Sequence, residues 1–257
     1  MAAFFVAHVG FLPKTRFAVS DESKSIFLTA EWRQLAMLNY EVKSSLLAPF
    51  VPRGTELDSF NGKTFVSVVG FLFLKTRVLG LPIPFHRNFE EVNLRLYVRR
   101  KADGDWRRGV VFIKEIVPRA AIAFIARKFY NEPYLALPMA HRVDSGAVEY
   151  SWLFNNRSHS LQVVTRGEPQ ELRAGSEAEF ITEHYWGYTG QRDGSTLEYR
   201  VEHPRWRVWD VQEATLDCDV AGLYGKQFAS SLSAKPASAF LADGSAVSVS
   251  KGARLNT

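Results

Sequence analysis

From Phe89 to Val98 the chain alternates between two kinds of side chain. Phe89, Glu91, Asn93, Arg95 and Tyr97 fall on one face of an extended chain, and Glu90, Val92, Leu94, Leu96 and Val98 on the other. The period of two predicts a strand over residues 89–100. One face is apolar; the other carries an acid, an amide, a base and a phenol in a row. Such a row is either a solvated outer face or the lining of a pocket.

Similar patterning extends along the chain. Asp103-Gly104 predicts a turn into a second strand, "WRRGVVFIKEIV", in which Lys114 shares a face with Val110, Phe112 and Ile116. Asn61-Gly62 predicts a hairpin within residues 55–78, because both residues tolerate the positive φ of a type I′ turn. Residues 31–42 fit a helix or a strand. "SSLLAPFVPRG" predicts a short helical piece stopped by Pro49 and Pro52, and the alanine-rich "RAAIAFIARKFY" (119–130) a helix ended by Pro133. Residues 147–154, 159–165 and 178–189 read as strands, 219–231 as a second short helix and 246–250 as a last strand.

Asp193-Gly194, taken as a two-residue loop, sets Tyr188 opposite Tyr199, Trp186 opposite Val201 and His184 opposite His203. No repeat or long linker divides the sequence, so residues 1–257 are expected to form a single domain with its core at about 30–252 and residues 1–29 as a lead-in. Many strands with few helices predict a barrel or a sandwich.

The composition supports a packed interior: 46% of the 257 residues are hydrophobic and 13% aromatic, including 19 Phe and 6 Trp. The net charge of +5 is spread out. Its densest group, Arg99, Arg100, Lys101, Arg107 and Arg108, brackets the turn at 103–104 and reads as a solvated hairpin tip, so no nucleic-acid partner is expected. Cys218 is the only cysteine; without an intramolecular disulfide the chain suits a reducing, cytoplasmic setting. The apolar runs "VVGFLFL" and "AAIAFIA" are too short to span a bilayer, and the first residues lack the basic start of a signal peptide, so no membrane partner is expected either.

GxSxG, P-loop, GxGxxG, HExxH and CxxC motifs are absent. His184 and His203 lack an evident third ligand, so neither metal nor cofactor is expected. Lys114 is read as a side chain reaching out at a sheet edge rather than as a nucleophile.

Several stretches carry a resemblance: "FVPRGTELDSFNGKTFVSVVGF", "TRVLGLPIPFHRNFEEVNLRLYVR", "ARKFYNEPYLALPM", "EHYWGY", "VEHPRW" and "LYGKQF" followed by "KPASAFLADGSAVSV". Over residues 30–252 the sequence resembles the YqjF-like family of conserved bacterial proteins of unknown function. That family is similar in fold to acetoacetate decarboxylase. The resemblance implies a mainly β, α+β architecture: a closed, cone-like β-barrel with two or three short helices and a central cavity.

It also implies that Phe89 and Glu91 of "FEEV" match the strand that brings a carboxylate into the decarboxylase cavity. In "ARKFYNEPYL", Arg127 matches the decarboxylase arginine and Lys128 stands where its glutamate would be. Pro133 matches the proline, and Tyr134 and Leu135 occupy the two lysine places. A phenol cannot form the Schiff base that the lysine forms. Lys114 or Lys128 would have to replace it from elsewhere.

The expectation is therefore a barrel that binds a small organic acid or polar metabolite, lacking the Schiff-base lysine. Asn93, Arg95, Tyr97 and Arg127 are the expected ligand-binding residues, with arginine offering a planar fork to a carboxylate. Glu91 and Tyr134 are the candidate catalytic pair of an alternative reading, a lyase or isomerase working by acid–base chemistry. A third reading is a structural or interaction protein whose barrel is filled solid. Self-association is left open.

Overall fold

The computed structural model describes residues 26–118 and 131–255. The helix expected at 119–130, with Arg127 and Lys128, lies outside the described residues. Fifteen strands are present among the described residues. In chain order they are β1 (Ile26–Glu41), β2 (Glu56–Leu57), β3 (Phe65–Val78), β4 (Leu81–Pro82), β5 (Phe89–Ala102), β6 (Asp105–Val117), β7 (Tyr134–Ala136) and β8 (Met139–Asp144). There follow β9 (Ala147–Phe154), β10 (Arg157–Gln170), β11 (Trp186–Gly190), β12 (Thr196–Glu202), β13 (Val208–Asp217), β14 (Ser238–Ser250) and β15 (Ala253–Arg254). The helices are short: α1 (Ser44–Leu47), α2 (Glu177–Thr182), α3 (Val220–Leu223) and α4 (Ala229–Leu232). The protein is mainly β, as the alternation predicts, and residues 31–42 resolve as strand.

Seven strands form a closed ring in the order β12-β11-β6-β5-β3-β1-β14, with β14 pairing back to β12. Beyond the ring the sheet runs on from β14 through β13, β10 and β9 to β8. This open wing folds back over the outside of the ring. Val92, Leu94, Leu96 and Val98 of β5 belong to one buried cluster with Val148, Tyr150, Trp152, Leu161 and Val163 of the wing. Helices α3 and α4 extend that cluster through Leu223 and Leu232.

A second cluster lies inside the ring and contains Leu35, Met37, Val69, Phe71, Phe73, Phe89 and Val110. Strands β1, β3 and β5 thus have both faces covered, and side chains one residue apart go to different interiors. At Gly70 of β3 a β-carbon would stand 2.5 Å from the Tyr150 ring, so glycine allows the wing to settle this closely.

Turn chemistry sets the register around β5. Asp103 and Gly104 have φ of 52° and 90°, and Ala102 pairs with Asp105, the expected two-residue turn. The turn at Asn61-Gly62 forms too, but only Phe60 and Lys63 pair across it. The short β2 leading into it pairs with β5 rather than β3, so the long hairpin expected at 55–78 does not exist.

Two further expectations change. Residues 177–182 are the helix α2 rather than part of a strand, because Ser176 caps it: Glu179 N donates to Ser176 Oγ at 3.1 Å, and Gly175 N donates to Glu179 Oε2 at 2.7 Å. The β11–β12 hairpin is also out of the expected register by one residue. Its turn spans 191–195, held by Gln191 N to Ser195 O, Gly194 N to Gln191 O and Ser195 N to Asp193 Oδ1. Gly187, not Tyr188, therefore faces Tyr199.

Leu94 is fully buried between ring and wing. Leu94→Ala is expected to cost about 2–5 kcal/mol, read as a lower urea midpoint with an unchanged slope.

Candidate functional site

The ring encloses a cavity of about 190 Å³. For comparison, a cavity of ~150 Å³ admits a molecule the size of benzene. The interior is therefore not packed solid. Most of the wall is apolar and aromatic, with Trp32, Phe71, Phe73, Phe89, Phe112 and Trp206 among its residues. The polar row of β5 points into it: Glu91, Asn93 and Arg95 all line the cavity. Glu91 and Asn93 are each 2% exposed, so this row is no solvated face.

Arg95 remains partly accessible. Its Nη2 donates to the carbonyl of Ile181 at 3.1 Å and its Nε approaches Tyr97 Oη at 3.4 Å, while Nη1 makes no hydrogen bond among the described residues. Tyr97 does not reach the cavity wall. Its hydroxyl lies 2.5 Å from Ser67 Oγ, which donates to Asn39 Oδ1 at 2.6 Å, in a buried network behind Arg95.

At the other end Glu91 meets Tyr134. The Tyr134 hydroxyl donates to Glu91 Oε2 at 3.1 Å, and Asn93 Nδ2 donates to Oε1 at 3.0 Å. Tyr134 is brought there by β7, which pairs in parallel with β6 and sets Tyr134 beside Glu115. Leu135, the next residue, packs instead against the cluster under the wing.

Two further carboxyl groups share this wall. Glu115 comes from β6 and Glu132 from the segment just before β7. A strict period of two would put Glu115 on the outside with Val111 and Ile113. A bulge prevents this: Arg95 pairs with Phe112 but Leu94 pairs with Lys114, so Ile113 is skipped and the alternation reverses. Glu115 then faces Asn93 inside, while Lys114 pairs with the outward-facing Leu94 and does not line the cavity. No lysine among the described residues does.

Glu132 Oε1 accepts hydrogen bonds from the hydroxyls of Thr189 and of Tyr199, the latter at 3.1 Å. Gly187 makes the second bond possible, since a β-carbon there would stand 2.1 Å from the Tyr199 ring. Burial, with no cation beside them among the described residues, pushes the Glu91 and Glu132 carboxyls up to about 7, and the Glu115 carboxyl well above the usual range; Glu132 and Glu91 raise Glu115 further by repulsion.

Near Arg95, His184 and His203 also line the cavity. His184 Nε2 lies 3.4 Å from Asp58 Oδ2, and Asp58 also accepts from Arg108 Nε at 2.7 Å. Burial pushes the His184 imidazole down to about 4. The His203 ring stacks on Trp206 at 4.0 Å. The one-residue change in register takes the two histidines out of the facing positions expected of them. Among the described residues no cluster of three histidine, cysteine or acidic side chains is arranged to hold a metal ion.

This architecture, a ring of strands enclosing a cavity, is that of the acetoacetate decarboxylase-like folds. Acetoacetate decarboxylase of Legionella pneumophila matches with a TM-score of 0.64 and 13% identity, over 90% of this chain and 88% of its own. The enduracididine biosynthesis enzyme MppR, in its complex with pyruvate, matches with a TM-score of 0.61 and 12% identity, over 97% of this chain and 98% of its own. Identities this low establish the fold alone. The sequence itself matches the DUF2071 family of uncharacterized conserved proteins over residues 29–246, and the chain belongs to that family. The uncharacterized protein YqjF of Bacillus subtilis (strain 168) is 28% identical over 196 residues, 74% of this chain and 76% of its own.

The raised carboxyls make a pH prediction. A carboxyl whose folded pKa lies above its unfolded value stabilises the fold fully below the unfolded value and loses that contribution as pH rises through the folded one. Glu91 should therefore weaken the fold between about pH 4.5 and 7. His184, pushed down, acts in the opposite sense between pH 4 and 6.5. Glu91→Gln isolates the first effect. Its stability relative to wild type is expected to grow from pH 4.5 to 7, by on the order of 2 kcal/mol, in urea unfolding at each pH.

Proposed function

We propose that this chain is a small-molecule-binding protein whose cavity takes a small organic acid with an apolar body. Arg95 holds the carboxylate, and Glu91, Asn93 and Tyr134 meet the polar group at the far end. One observation carries the reading. Buried polar atoms without a hydrogen-bond partner gather at this cavity: Trp32 Nε1, Thr76 Oγ1, Asn93 Oδ1, Glu115 Oε2 and His184 Nδ1. An unpaired buried donor or acceptor costs about 1–3 kcal/mol. A fold retains several of them around one cavity where a bound molecule pairs them.

The Glu91–Tyr134 contact supports a second reading, proton transfer on the bound molecule. A carboxyl raised to about 7 is poised to gain and lose a proton near neutral pH, and the Tyr134 hydroxyl beside it supplies a donor. Chemistry of this kind, as in a lyase or isomerase, needs no amine nucleophile. It agrees with a cavity to which the described residues bring no lysine.

Cys218 and the absence, among the described residues, of any helix long and apolar enough to cross a membrane agree with a protein that meets free metabolites in a reducing compartment.

A thermal-shift series with short keto, hydroxy and sugar acids tests the binding reading. At 100 times its dissociation constant a ligand stabilises by about 2.7 kcal/mol, a rise in Tm of roughly 5–10 °C for a chain this size. The rise should vanish in Arg95→Ala. If no acid shifts wild type and Arg95→Ala melts with it, the cavity is not a binding site for organic acids.

A further inference from the structure

We propose that the ligand of this cavity carries a protonated amine at the end opposite its carboxylate, held by Glu91, Glu115, Glu132 and Asn93. The site would then select amino-acid-like molecules whose two charges are separated by several bonds. This inference rests on the binding reading above and deepens it.

Among the described residues, the polar end of the cavity is rich in acceptors and short of donors. Glu91, Glu115 and Glu132 are all buried in one wall, and none has an ion-pair partner among the described residues. The hydroxyl and amide donors among the described residues are already used, so the only further hydrogens at this wall are the carboxyls' own protons, which leave when the carboxyls ionise. The Tyr134 hydroxyl and Asn93 Nδ2 serve Glu91, and the Thr189 and Tyr199 hydroxyls serve Glu132. What remains unpaired is two oxygens, Asn93 Oδ1 and Glu115 Oε2. Their residues are paired across neighbouring strands and so stand side by side on the wall.

An ammonium group has three N–H donors and no acceptor, the complement of such a site. A carboxylate or phosphate placed there would meet acceptor oxygens and be repelled.

The charge at the other end comes from Arg95. It stands four residues from Glu91 on one strand, so their α-carbons are about 13 Å apart. A cation at one end and an anion at the other therefore belong on a ligand with a chain of several methylenes between them. An α-amino acid would bring both charges to the same end.

A matched series of probes separates the contributions: hexanoate, hexylamine and 6-aminohexanoate, titrated calorimetrically into the full chain at pH 6, 7 and 8. In wild type, 6-aminohexanoate is expected to bind at least about tenfold more tightly than hexanoate, the worth of one charge-assisted contact. The bound cation favours ionised carboxyls, so protons held by Glu91, Glu115 or Glu132 should be released. That release is read as a dependence of the heat on the buffer's ionisation enthalpy. The preference for the amine should rise with pH by up to about tenfold per unit for each proton released.

Glu115→Gln and Glu132→Gln keep the shape of the wall and remove its charge. Both should lose the preference while still binding hexanoate, with their folding checked by circular dichroism. Equal binding of hexanoate and 6-aminohexanoate in wild type overturns the inference and leaves the organic-acid reading intact. So does a preference that survives in both glutamine variants. If none of the probes binds while other acids shift Tm in an Arg95-dependent way, the inference again fails alone. If no acid of any kind binds, the binding reading falls and takes the inference with it.

Discussion

A β-strand with one apolar and one polar face usually sits at a surface, where water satisfies the polar side. Strand β5 has no such freedom. Its apolar face is pressed between ring and wing, and its polar face is sealed inside the ring. The remaining architecture follows from covering both. The wing β8–β9–β10–β13 and helices α3 and α4 bury Val92, Leu94, Leu96 and Val98. Closure of the ring through β12 and β14 encloses Glu91, Asn93 and Arg95. The row that could have been a solvated face thus becomes a wall.

Sealing carboxyl groups inside a ring is costly unless something offsets the lost hydration. Here the offset is neutral: hydroxyls of Tyr134, Thr189 and Tyr199 and one amide, with no cation among the described partners. Neutral donors lower a buried carboxyl's pKa only in part, and mutual repulsion raises it again, so the group holds its proton near neutrality. Arg95 is kept apart from this cluster by its bond to Ile181. The cavity therefore has an acidic end and a basic end that do not neutralise each other, a polarity that the molecule maintains at some expense in stability.

Much of the fold was legible because it rests on local patterns. The alternation in β5, the Asp103-Gly104 turn and the β9 segment all follow from period and turn chemistry, whereas the single helix expected at 219–231 forms as two separate short ones, α3 and α4. Family motifs also pointed to the acetoacetate decarboxylase-like fold. The cavity wall was legible where alternation is unbroken, at Glu91, Asn93 and Arg95, and through the family resemblance at Tyr134. Glu115 was hidden because a bulge at Ile113 reverses the parity of β6, and no residue there announces it. Glu132 sits outside the periodic segments, next to Pro133, and becomes a wall residue only through the parallel pairing of β6 with β7. Tyr97 was misplaced for a different reason: sharing a face with Arg95 does not bring it to the same depth, and Ser67 and Asn39 claim its hydroxyl. Helix α2 did have a signal, the Ser176–Glu179 capping box, which outweighs the β-like residues that follow it.

The wing has a consequence for how such proteins diverge. Most of the adhesion that holds the ring in shape lies on its outside, among side chains one residue removed from those that line the cavity. A lineage can therefore exchange an inward-facing residue without disturbing the neighbouring outward contacts. Structural neighbours with 12–13% identity nevertheless keep TM-scores of 0.61–0.64, as expected when sequence drifts and the scaffold persists. In this chain the described wall carries Glu91, Tyr134 and no lysine, and the ring closes around it. Such a vessel can change its lining without being rebuilt.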